Sequence, residues 1–422
     1  MKIGLLTFPR LTNNFAEGRP TLLAQKLEPS VLFLSPSYGE LVFIEDNIPR
    51  DDIDLYLCSV YTRGLSEFIK FSKAVGRDKV IAGGYHPTAM PEEMLPYAHK
   101  VVTGYCDNID QIIDGPTGVS KGSFGFTKMR RDLVDMRTMT QIYPDIYPDD
   151  ISGSMVSSVG CPYDCDFCST PSMSGRKMRT ASLDYVAEEI EDLLKHNVTT
   201  VFIRDESFAT HPMMAEVAPL FKDKFKVLYS FGTSGVFAKK PELLKVLKES
   251  GWHSLNIGLE DVGVKYRKNL NLKMGVENIH RNGLQHVMSF IVNDDGKSLE
   301  EAKANYNSLY DAFIDLKPLQ VCANFLMPFP GTKLWESYKH RMTANDFDNF
   351  DSKTPIFTQG PMHEWHKRML VAVQLKYYLS ESYNKNVRNF NCGDTLNLRM
   401  NELQKEFGLD DLSWDKLLEI NP

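Results

Sequence analysis

Three cysteines fall within eight residues, Cys161-Pro-Tyr-Asp-Cys165-Asp-Phe-Cys168. No other feature constrains the chain so tightly. Three thiolates on one short loop can hold three irons of a [4Fe–4S] cube and leave the fourth iron without a protein ligand. Clusters that only carry electrons usually have four thiolates. The spacing therefore points to a cluster whose open iron binds a small molecule. Structural zinc takes four ligands, often as two short pairs. Here no matching Cys or His pair lies near the triplet, and Cys58, Cys106, Cys322 and Cys392 are scattered singly. A zinc-stabilised binding protein stays a remote alternative. Seven cysteines in 422 residues are too sparse for a disulfide scaffold and suit a reducing compartment.

A chain of this length exceeds one ordinary core and implies two or three domains. With 42% apolar and 24% charged residues and a net charge of −7, it reads as globular, with no general affinity for nucleic acid or anionic membrane. The start, Met1 to Pro9, is a short apolar run cut by proline and lacks a signal peptide's long apolar stretch. No run approaches membrane-spanning length. A cytoplasmic location is expected.

Short apolar runs at 3–8, 31–34, 55–60, 80–82 and 101–103 predict buried parallel strands, with helices at 65–75 and 91–98 between them. This predicts an open doubly wound α/β sheet over residues 1–110, whose ligands bind beyond the strand C-termini. Gly83 and Gly84, after one such strand, let backbone approach a ligand closely. Residues 111–150, punctuated by Gly115-Pro-Thr-Gly118 and two Tyr-Pro pairs, read as a connector. From 151 to 340 the β/α rhythm resumes. Strands are expected at 155–159, 200–204, 226–231, 254–258, 287–292 and 319–326, with helices at 183–196 and 240–250 among those between them. Catalytic groups in barrels gather at strand C-termini, and the cysteine loop follows the first of these strands. Residues 341–422 read as helical, with amphipathic patterning at 364–383, 403–407 and 412–420. Asp346-Phe-Asp-Asn-Phe-Asp351 reads as a solvated loop able to face a cationic substrate. His363 and His366 read as surface histidines.

The triplet resembles the C-x3-C-x2-C signature of the radical S-adenosylmethionine (radical SAM) superfamily, in which the residue before the third cysteine is aromatic, here Phe167. The segment from Gly83 to Thr88, Gly-Gly-Tyr-His-Pro-Thr, resembles the GG-x-H-P-T loop of the subgroup with an N-terminal cobalamin-binding-type domain. The resemblance implies a Rossmann-like N-terminal domain, a partial (β/α)6 TIM-like barrel and a helical C-terminal region. It implies that Cys161, Cys165 and Cys168 hold the cluster and that the open iron binds S-adenosylmethionine (SAM). Reduction then cleaves the sulfonium to a 5'-deoxyadenosyl radical that activates a substrate C–H bond. An electron donor such as flavodoxin or ferredoxin is expected.

Later segments resemble the family in order and spacing. Arg176-Lys-Met-Arg179 resembles R-x-R-S, and Asp205-Glu206-Ser-Phe208 resembles D-D/E-x-F. The resemblance assigns Glu206 to the cofactor's ammonium, with Asp205 beside it or capping the next helix. Ser234 would meet the methionyl carboxylate. Asn256-Ile-Gly258-Leu-Glu260 resembles I-G-L-E-S, with Gly258 admitting backbone and Glu260 facing the ribose. Asn293 and Met327 would lie near the adenine, Met327 opening a Met-Pro-Phe-Pro-Gly-Thr stretch like P-G-T-P-L in which Lys333 replaces the second proline. One departure matters. The D-x-H-x-x-G histidine of many cobalamin domains is absent from the loop after the first strand, so cobalamin binding stays open. His86 reads as a loop hydrogen-bonder. With cobalamin, C-methyl transfer is implied. Without it, the N-terminal domain would recognise a substrate or partner for a radical oxidation or isomerisation. The C-terminal region lacks cysteines for auxiliary clusters, and only Cys58 and Cys106 precede the triplet. Whether the substrate is a small molecule or a peptide is not legible.

Overall fold

The computed structural model describes residues 1–9, 29–140, 149–260 and 267–383, with 405, 409 and 413–419. The expected helix at 403–407, much of the loop after the first strand and the two Tyr-Pro pairs fall outside these residues. Among the described residues the strands form two six-stranded parallel sheets and one small ladder.

The first sheet comprises β1 (Lys2–Phe8), β2 (Glu40–Phe43), β3 (Leu55–Val60), β4 (Val80–Gly83), β5 (Lys100–Thr103) and β6 (Gly118–Lys121), in the order β2-β1-β3-β4-β5-β6. The near-continuous burial of β1 and β3 explains their unbroken apolar runs, since a parallel sheet is covered on both faces. The helix Leu65–Val75 crosses from β3 to β4 and buries Leu65, Phe68 and Phe71. Strand order reverses between β1 and β3, which opens a crevice at that edge.

Two expectations are corrected here. Val31–Leu34 is no strand. Ser30–Phe33 winds into a 3-10 turn after Pro29, in which the Leu32 amide donates to the Pro29 carbonyl and the Leu34 amide to the Val31 carbonyl. The place beside β1 is taken by β2, which has no fully buried residue and so a weak apolar signal. In addition, β6 lies within the stretch read as a connector, yet it pairs with β5.

The second sheet comprises β7 (Ser152–Met155), β10 (Thr200–Ile203), β11 (Val227–Phe231), β12 (Trp252–Glu260), β13 (Gln285–Val292) and β14 (Gln320–Phe325), neighbours in sequence order. Between β7 and β10, β8 (Ser158–Val159) and β9 (Arg179–Thr180) form an antiparallel ladder. The strand expected at 155–159 thus splits after Met155, because Asp205 draws the next two serines off the line of the sheet. Asp205 accepts from the Ser157 amide and from the Ser157 and Ser158 hydroxyls at 2.6–2.7 Å.

The two sheets are not independent. Leu6, Phe8 and Phe68 from the first half share one apolar cluster with Phe290 and Val321 of the second and Trp365 of the helix Gly360–Tyr378. That shared core holds both sheets in one frame.

Candidate active site

The cysteine loop leaves β8 at Val159 and is fastened without use of its thiols. Glu206 Oε2 accepts from the Gly160 amide at 3.0 Å. Its Oε1 accepts from the Ser174 hydroxyl at 2.9 Å and the Tyr105 hydroxyl at 3.1 Å. Burial pushes the Glu206 carboxyl above its ordinary range, while these donors pull it back toward the charged form. Further out, Asp164 pairs with Lys333 at 2.6 Å and with Arg176 at 3.2 Å. The Leu334 amide also donates to the Asp166 carbonyl at 2.9 Å. Lysine at 333, where the family pattern has proline, therefore clips the turn after β14 to the cysteine loop.

Cys161, Cys165 and Cys168 are free thiols that line one cavity of about 540 Å³. Burial raises Cys161 and takes Cys165 to about 11. Such desolvated thiols ionise readily only against a metal or another cation. Among the described residues no three His, Cys, Asp or Glu side chains are gathered closely enough to hold a single metal ion. The fit to a cluster rests instead on the donor set, three thiol groups at the mouth of one loop, which is the soft ligation that iron–sulfur centres take.

Across the cavity, β12 ends at Glu260 with φ of 62°, beside a register shift against β13. Glu260 forms an ion pair with Lys268. A methyl group on Gly258 would collide with the Glu260 carboxylate and stand 3.3 Å from Lys268 Nζ. The Lys268 ammonium lies 5.5 Å from the Phe167 ring centroid. Burial opposes its charge, but Glu260 and Cys165 outweigh burial and raise it. The sequence carried no sign of Lys268, which comes from a segment without periodic or motif signal.

The same cavity extends to the C-terminal edge of the first sheet, where Cys58, Ser59, Gly83, Gly84 and Gly104 line it. Gly84 has φ of 101°, and a Cβ there would stand 3.0 Å from the Val60 amide nitrogen, so only glycine suits. At Gly83 a Cβ would protrude with nothing nearer than Val102 at 3.6 Å. The two glycines thus leave this strand end without side chains. Tyr61 and Tyr85 stack at 5.7 Å beside it.

The structure therefore gathers the three cysteines, Glu206, Gly258, Glu260, Gly83 and Gly84 around one space. Phe167 lies outside the lining, with its ring facing the Lys268 ammonium. Asp205 is fully buried and saturated by Ser157 and Ser158. It shapes the approach to the cysteine loop and neither lines the cavity nor caps a helix. Thr233 lines the cavity where Ser234 was expected. Ser234 starts the helix Ser234–Lys239, with a buried hydroxyl that has no hydrogen-bond partner among the described residues. Asn293 accepts from the Asp295 amide at 3.0 Å, and Met327 packs in the apolar core. Neither lines the cavity.

Three readings outside the site are also settled. His86 does hydrogen-bond, but from the short helix Tyr85–Ala89 and not from a loop; it is buried, with Nδ1 3.2 Å from the Thr62 hydroxyl and its ring against Phe347. His366 is no surface residue. It is buried, with Nδ1 3.2 Å from the Tyr306 hydroxyl. The acidic-aromatic segment is not simply solvated, because Phe347 and Phe350 are buried in the shared core.

Residues 155–309 match the model of the Radical SAM superfamily. Bacteriochlorophyllide d C-12(1)-methyltransferase of Chlorobaculum tepidum is 25% identical over 365 residues, 78% of this chain and 76% of that protein. Among solved structures, the radical SAM methyltransferase TsrM from Kitasatospora setae, with cobalamin and a [4Fe–4S] cluster bound, superposes with a TM-score of 0.52 at 16% identity, over 81% of this chain and 78% of that one. The cobalamin-dependent SAM radical enzyme OxsB, with aqua-cobalamin and SAM bound, gives a TM-score of 0.51 at 12% identity, over 97% and 71%. At these identities the structures establish likeness of fold.

Proposed function

We propose that this chain, which belongs to the radical SAM superfamily, is an enzyme that transfers a methyl group to a substrate carbon with the help of cobalamin. The observation that carries the reading is the single cavity lined by both the cysteine loop and the C-terminal edge of the first sheet. Curated relatives whose names describe methyl transfer to carbon support it.

Cys161, Cys165 and Cys168 would hold the cluster. The strand end at Gly83 and Gly84, with the neighbouring Tyr61 and Tyr85, would hold cobalamin. Among the described residues no histidine lines the cavity, and the strand-end backbone and the tyrosines would do the holding. When bound, these groups supply one-electron reduction of the SAM sulfonium and a carrier for its methyl group.

The chain's own residues do the rest. Glu206 fixes the start and end of the cysteine loop through Gly160 and Ser174. Gly258 opens space beside the triplet, and Glu260 presents a carboxylate to the ribose hydroxyls. The apolar and aromatic walls keep water from the reacting groups. The expected electron donor is a flavodoxin or ferredoxin. Among the described residues no helix is long and apolar enough to cross a membrane.

The test is the corrinoid content of protein made anaerobically with iron, sulfide and cobalamin supplied. This reading expects about one corrinoid per chain beside the iron–sulfur absorption, and methylated products after turnover with SAM. Iron–sulfur absorption without corrinoid, even after reconstitution, would overturn cobalamin dependence and favour a radical oxidation or isomerisation.

A further inference from the structure

Lys268 and Glu260 form a pair built with unusual care. Glu260 occupies a left-handed backbone conformation, φ 62°, which residues with side chains seldom adopt without local compensation. Gly258, two residues earlier, lacks the methyl group that would displace the pair. Phe167, between Asp166 and Cys168, offers its ring to the Lys268 ammonium at 5.5 Å. Both charged groups line the cavity that holds the three thiols. The Lys268 ammonium is the end of the pair turned to the cysteine loop, against the ring of the residue next to Cys168.

We propose that Lys268 and Glu260 set the reduction potential of the iron–sulfur cluster held by Cys161, Cys165 and Cys168, Lys268 raising it and Glu260 moderating that effect. This rests on the reading that the triplet holds a cluster. Reduction adds negative charge to a centre already ligated by thiolates. A cation in the same poorly solvated cavity stabilises the reduced form, and an anion opposes it. Lys268 is thus a positioning residue for charge and is not expected to ligate iron.

The experiment is a redox titration followed by electron paramagnetic resonance, without SAM, on anaerobically reconstituted protein. Four chains are compared: wild type, Lys268→Met, Glu260→Gln and the double variant. The expected result is a more negative potential for Lys268→Met, a more positive one for Glu260→Gln, and a double variant between them near wild type. Lys268→Arg should stay close to wild type. Unmoved potentials, or single variants that shift in the same direction, overturn the proposal while leaving the cluster reading intact. Should Lys268→Met take up no iron, Glu260→Gln decides the matter, and an unchanged or lowered potential there overturns it. A wild-type chain that takes up no iron overturns the cluster reading itself, and the pair's role with it.

Discussion

The Tyr105 hydroxyl, on the loop after β5, donates across 3.1 Å to Glu206 Oε1. The other oxygen of that carboxylate accepts from Gly160, the residue that leads into Cys161. One carboxylate therefore joins the edge of the first sheet to the root of the cysteine loop. Replacing Tyr105 by Phe keeps the ring, including its edge contact with Phe124, and removes this bond. Urea unfolding of Tyr105→Phe should show a loss of about 1 kcal/mol, the net worth of one hydrogen bond to a partly buried group. Glu206→Gln should cost more, about 1–3 kcal/mol, because it mismatches donors at a buried acceptor. Equal stabilities for wild type and both variants would contradict the role given to Glu206.

Gly258→Ala tests the other wall of the cavity. The added methyl would meet the Glu260 carboxylate and crowd Lys268 Nζ. Its expected signature is an iron content like wild type with SAM affinity at least about tenfold weaker, a change of roughly 1.4 kcal/mol. Calorimetric titration of the reconstituted protein measures it. Unchanged affinity would remove Glu260 and Gly258 from the SAM site.

His366 makes stability depend on pH. Burial, aided by the charges of Lys297 and His363, lowers its imidazole from 6.5 to about 4. The unfolded chain takes up this proton near pH 6.5 and the folded chain only near 4. Its contribution is therefore present above 6.5 and lost as the pH falls through about 4. The size is of order 3 kcal/mol at most. Urea unfolding between these pH values should show His366→Gln with a flatter dependence than wild type, and parallel curves would count against it.

The sequence made the frame legible wherever one physical signal ruled. Buried parallel strands such as β1 and β3 read as apolar runs, and the helix Leu65–Val75 was legible from its periodicity. Val31 misled because a buried apolar run between prolines satisfies its amides within a turn as well as in a strand. β2 and β6 escaped notice because edge strands are only half covered and carry little apolar pattern. The triplet was legible from its spacing, and Glu206 and Glu260 because each stands at or just after the end of an expected strand in a segment that resembles the family pattern. Asp205 was misjudged since its partners, Ser157 and Ser158, lie 48 and 47 residues away. Lys268 and Tyr105 were invisible for the same reason, because their meaning lies in contacts made across the fold.

The most direct test of the account is the electron paramagnetic resonance spectrum of the reduced, anaerobically reconstituted protein with and without SAM. The account expects the signal of about one reduced [4Fe–4S] cluster per chain, altered in shape when SAM occupies the open iron, and lost in Cys165→Ala. A signal indifferent to SAM, or one retained after each of Cys161, Cys165 and Cys168 is replaced singly by Ala, would contradict it.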